Sequence, residues 1–120
     1  MQLADPETAF VNRSAVVVRP KQPYLDWATE LDETPTEQTE ALKHSCTVYL
    51  APEVVRSGQL DRWVRRNCPA IFEHELWAWC RDADAWPEDR GHRAFRAWFS
   101  VAVTELVIDL GREPIEAEVL

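Results

Sequence analysis

The sequence predicts an α+β fold of two layers, a small sheet of about three strands covered by helices in the order β-α-β-α-α-β. Three observations carry this expectation. A β-branched run, Ala15-Val16-Val17-Val18, stops at Arg19-Pro20, as a buried strand closed by proline does. Leu60, Trp63, Val64, Cys68, Ile71, Phe72, Leu76, Trp79 and Cys80 recur at spacings of three and four, the period of an amphipathic helix. From Phe99 the spacing falls to two, with Phe99, Val101 and Val103 on one parity and Leu106, Ile108 and Leu110 on the other, the period of a strand.

Residues 1–12 lack periodicity and read as a less ordered arm. The first strand spans about 13–19. Pro23 suits a first helical turn, and Tyr24, Ala28 and Leu31 share a face with Trp27 beside it, which predicts a helix over 22–31. The acidic stretch 30–40 reads as a solvated loop with a short helical turn running into 41–43. Ser45-Cys46-Thr47-Val48-Tyr49-Leu50, bounded by Pro52, is the second strand. Pro69 interrupts the strongest helical signal, so helices are expected over 58–67 and 69–81, or as one sharply kinked helix. His92–Trp98 predicts a short helix. The change of parity near Thr104 and Glu105, with no turn former, predicts one long strand with a bulge, a hairpin being the second choice. Residues 112–120 read as an extended tail.

At 120 residues the chain suits a single domain, 1–120. Hydrophobic residues make up 46% and charged residues 28%, so wholesale disorder is excluded. Thirteen Lys and Arg face 21 Asp and Glu, a formal charge of -8, the wrong sign for holding phosphates by counterion release. No nucleic-acid partner is expected. No apolar run approaches the ~20 residues of a membrane span, and the start lacks a signal-peptide pattern. Three cysteines cannot all pair within one chain, which points to a reducing cytoplasm and no membrane partner.

Several patterns occur together: Asn12-Arg13-Ser14, Pro20-x-x-Pro23-Tyr24-x-Asp26-Trp27, Val48-Tyr49-Leu50-x-Pro52-Glu53, Trp86-Pro87, Phe95-x-x-Trp98-Phe99 and Val107-Ile108-Asp109-Leu110. In pattern and order this resembles a family of small uncharacterised bacterial proteins across nearly the whole chain. The resemblance implies a bacterial source and a compact α+β domain, and it brings no activity, ligand or catalytic residue.

The chemistry-bearing residues are sparse. His44-x-Cys46 and Glu73-His74-Glu75 supply zinc-type ligands, but no Cys-x-x-Cys or His-Glu-x-x-His spacing supports them, and Cys68 and Cys80 fall on the apolar stripe. No metal and no cofactor is expected. Cys46 beside His44 is a weak nucleophile candidate, since the preceding segment is acidic and a reactive thiolate wants positive surroundings. Three glycines and no Gly-x-Ser-x-Gly leave neither a phosphate loop nor a nucleophile elbow. Asp26 with Glu30, Glu73 with Glu75 and Glu105 with Asp109 are carboxylate pairs whose default reading is surface charge. Asp26-Trp27 reads first as structural, the carboxylate accepting the indole N–H or pairing with Arg13 or Arg19.

Six tryptophans exceed what the core stripe uses. Trp77 is rotated off that stripe and Trp86 stands in an acidic loop. Together with the basic face Arg62, Arg65 and Arg66 they form a candidate contact surface, since Trp and Arg anchor interfaces. The competing reading buries Trp77 beneath a sheet. Positive charge gathers at 56–66 and at Arg90, Arg93 and Arg96, while 30–40, 82–89 and 105–118 are acidic. Such separation steers a charged partner or a second copy, or else neutralises internally. The leading expectation is therefore a non-enzymatic interaction or regulatory domain whose partner is another protein or itself. The alternative is a small enzyme or ligand-binding protein using Arg13, Asp26, His44 and Tyr49 at the sheet edge.

Overall fold

The computed structural model describes residues 9–32, 37–54, 56 and 58–119. The elements are β1 (Ala9–Phe10), β2 (Arg13–Pro20), α1 (Gln22–Leu31), α2 (Glu37–Leu42), β3 (Thr47–Pro52), α3 (Gln59–Trp79), a 3-10 turn (Ala83–Ala85), α4 (His92–Trp98), β4 (Phe99–Thr104) and β5 (Ile108–Asp109). The fold is α+β, as the periodicities predict. β2 is the centre of an antiparallel sheet ordered β3-β2-β4, and β1 pairs with β5 in a separate ribbon.

The β-branched residues explain the central strand. Val16 faces Tyr49 on one side and Val103 on the other, and Val18 faces Thr47 and Val101. Both valines are fully buried. On the opposite parity Val48 and Leu50 are exposed, while Ala15 and Val17 of the central strand are buried and half-buried between their neighbours.

α3 is the main cover. It runs as one helix through Pro69, so the expected division into two helices, 58–67 and 69–81, is not found. Burial of Val64, Ile71, Phe72 and Leu76 along one side contributes about 1.5–3 kcal/mol per side chain, against about 3 kcal/mol for an interior proline. The Arg65 carbonyl, which loses its N–H partner at Pro69, accepts the Cys68 thiol at 3.4 Å instead. Gly58 caps the helix at φ +84°, a left-handed geometry that disfavours any residue with a Cβ.

α1 has the expected bounds and buries Tyr24 and Ala28. The Tyr24 hydroxyl donates to the Glu75 carbonyl at 2.7 Å, and the Trp79 indole donates to the Ala28 carbonyl at 3.1 Å. The Lys21 N–H donates to Trp98 O at 2.8 Å, tying α1 to α4. Phe72, Phe95, Phe99 and Tyr24 meet ring to ring at the centre.

Two strand expectations need correction. The second strand starts at Thr47, two residues late, because His44 and Ser45 N–H groups still bond to the Ala41 and Leu42 carbonyls at the end of α2. The long bulged strand does not exist, and neither does the hairpin. β4 ends at Thr104, whose hydroxyl accepts the Leu106 N–H at 3.3 Å, and the chain then leaves the sheet to pair with β1. The change of parity marks that departure. Residues 1–8 of the expected arm lie outside the described residues, while Ala9 and Phe10 form a strand. Residues 112–119 have no regular structure and are exposed. Among the described residues no helix is long and apolar enough to cross a membrane.

Candidate functional site

β3 and α3 run antiparallel to each other, and what joins them is a carboxylate. Glu75 lies on the inward side of α3, four residues after Ile71 and seven after Cys68, and is only 8% exposed. A charge so placed needs donors. The Thr47 hydroxyl lies 3.0 and 3.2 Å from its two oxygens, and the Tyr49 hydroxyl donates to Oε2 at 2.6 Å. His74 Nδ1 is 2.8 Å from the same Tyr49 oxygen. Tyr49 has one proton, so with that proton on Glu75 the His74 Nδ1–H is the donor to Tyr49, which fixes the imidazole tautomer. Burial first, and then Glu75, push the Tyr49 phenol well above its ordinary range. The same two causes act on Tyr24. Such a chain can relay a proton in principle, yet its hydroxyl is held protonated, and its evident work is to pin an edge strand to the helix beneath it.

Beside this pin runs a groove. Tyr49, Trp63, Asn67, Ala70, Ile71 and His74 line an apolar cavity of about 290 Å³. Trp63 also borders the next cavity, about 210 Å³, reached by Arg62, Arg66 and Pro52. Sharing Trp63, the two form a trough along α3 and β3, apolar at Tyr49 and His74 and charged at the Pro52 end, where Arg62 and Arg66 outnumber Glu53. β3 pairs only with β2, so among the described residues its outer edge has no strand neighbour.

The residues of the expected contact surface are not brought into contact with one another: Trp77 and Trp86 meet Arg81 and Arg90 instead. Arg62, Arg65 and Arg66 are exposed on α3. Trp77 is 41% exposed, stacked against His74 and covered by the Arg81 guanidinium 4.7 Å from its ring centre. Trp86 is different. Its indole donates to the Cys80 carbonyl at 2.7 Å, its ring packs on the core, and Arg90 sits 6.0 Å from its centre.

The four residues of the alternative polar site go to separate partners. Arg13 donates to the Asn12 carbonyl, Asp26 accepts from Gln22 at 2.8 Å, and Tyr49 bonds to Glu75. His44 stands exposed beyond α2. The Trp27 indole, expected on Asp26, donates instead to the Ala85 carbonyl at 2.8 Å. A further cavity, about 450 Å³, lies between α1 and α2 and is bordered by Asp26, Glu30, Glu40 and Lys43. These are helix-surface charges, and Lys43 is already paired with Glu40. Among the described residues no three His, Cys, Asp or Glu side chains are grouped to hold a metal ion.

Sequence reasoning read Glu75 as surface charge, where the structure buries it, and missed the trough. The signal for Glu75 was its place on the apolar stripe of α3, where a carboxylate must find buried donors. Comparison of the chain with protein-family models, with curated proteins and with solved structures finds no match.

Proposed function

We propose that the chain is a protein-interaction domain that takes an extended segment of a partner onto the outer edge of β3, above the trough. The observation that carries this reading is the conjunction of an open edge strand with an apolar floor and a basic end. An added strand gains main-chain hydrogen bonds from the edge and places every second side chain into the groove. Edge strands are ordinarily blunted by lysine, proline or a bulge; β3 carries a proline only at its last residue, Pro52, and leaves Thr47–Ala51 without any of these. Trp63 and Tyr49 offer the aromatic floor typical of binding hot spots, and Arg62 with Arg66 favours an acidic residue at one end of the ligand.

The test is selection from a displayed library of extended peptides against the wild-type chain and against Ala70→Trp, which fills the groove from an exposed helical position. Enriched sequences should carry apolar residues at alternate positions and an acidic residue near one end, with binding weakened by salt. Equal recovery on both proteins would refute the reading. A second reading, a small-molecule site, is favoured by the His74–Tyr49–Glu75 chain alone, and it requires that Tyr49→Phe abolish ligand binding while leaving peptide capture intact.

A further inference from the structure

Resting on that reading, we infer that the segment taken by the trough is residues 113–119 of a second copy of this chain. Three features of the segment match the site. Residues 112–119 form no regular structure and stand exposed, with Ile115 and Val119 among the largest exposed apolar side chains. The order Glu113-Pro114-Ile115-Glu116-Ala117-Glu118-Val119 places Glu113, Ile115, Ala117 and Val119 on one face of an extended strand and Glu116 with Glu118 on the other.

Laid antiparallel to β3, the segment runs alongside α3 in the same direction as the helix. Glu113 then meets Arg62 and Arg66 at the Pro52 end, and Ile115, Ala117 and Val119 follow the apolar floor toward His74. The lengths agree. The six residue steps of strand from Glu113 to Val119 extend about 20 Å, and the twelve steps of helix from Arg62 to His74 rise about 18 Å. Segment and trough are both exposed in the single chain, so reciprocal exchange between two copies closes a two-fold dimer with both edges paired.

The experiment uses full-length chains in sedimentation velocity. Wild type is expected to dimerise reversibly with concentration. Ala70→Trp disables the trough and keeps the segment, and Ile115→Asp with Val119→Asp disables the segment and keeps the trough. Each variant alone should lose affinity by about tenfold or more, and an equimolar mixture should recover a heterodimer that neither forms by itself. Arg62→Glu with Arg66→Glu should weaken the dimer, and Glu113→Arg in the same chain should restore it. A wild type that stays monomeric at every concentration, or a mixture that forms no heterodimer, overturns the inference. If the peptide library still yields ligands, the interaction reading survives that result, and if it does not, both fall.

Discussion

Replacing Tyr49 with Phe tests whether Glu75 is held as a charged anchor. The ring and its packing stay, so no cavity term enters, and the change removes the donor at 2.6 Å from Oε2 together with the acceptor of the half-exposed His74 Nδ1–H, which water can replace. Hydrogen bonds to charged groups contribute about 1.5–3 kcal/mol, against about 1 kcal/mol for neutral pairs. With the Thr47 hydroxyl still 3.0 Å away, the expected loss is about 2 kcal/mol. For a chain of this size that moves a urea midpoint by about 1 M, taking a slope near 2 kcal/mol/M. Tyr24→Phe is the internal comparison, because its hydroxyl meets a neutral acceptor, the Glu75 carbonyl, and should cost about 1 kcal/mol. Equilibrium urea unfolding of the three proteins at neutral pH gives both values. A Tyr49→Phe loss equal to or smaller than the Tyr24→Phe loss would refute the reasoning, since the carboxylate would then gain nothing special from its phenol.

Two further outcomes are expected. Tyr24 and Tyr49 are the chain's two tyrosines, and both phenols are raised in the fold by burial and by Glu75. A raised folded value gives stability that is whole below the unfolded value, about 10, and is lost as the pH climbs above it. Stability should therefore fall in alkali with a slope approaching about 1.4 kcal/mol per pH unit for each tyrosine, and Tyr49→Phe should remove about half of the tyrosine contribution. Tyrosinate absorbance appearing near pH 10 in the folded protein would contradict this. Ser14 is fully buried opposite Ala51, and its hydroxyl has no hydrogen-bond partner among the described residues. Ser14→Ala should raise stability by about 1 kcal/mol in thermal or urea unfolding, and a destabilised variant would show that the hydroxyl is satisfied in solution.

Local order was legible where one period dominates. The Val16 to Val18 run gave a strand, Tyr24 and Ala28 a helix with its observed bounds, and Phe95 with Trp98 the short helix α4. Pro69 misled because a local helix penalty says nothing of four apolar side chains buried around it. The parity change after Thr104 misled because alternation reports which face a residue takes and not which strand it pairs with. The trough was illegible for a related reason: Tyr49 and Glu75 are 26 residues apart, and no spacing rule links a strand residue to its helical partner. Trp86 was misplaced because a polar loop hides the carbonyl of Cys80 that receives its indole.

The placement of β2 at the centre of the sheet has a consequence for synthesis. Its β3 neighbour follows within a few tens of residues, but its other neighbour, β4, begins only at Phe99. On the ribosome the valine-rich strand therefore pairs on one side and waits through most of translation for the other. Loop closure over that distance is slow, and until it happens that edge of the valine-rich strand stays unpaired. Arrest of translation before residue 104 leaves a nascent chain whose central strand lacks its full second partner.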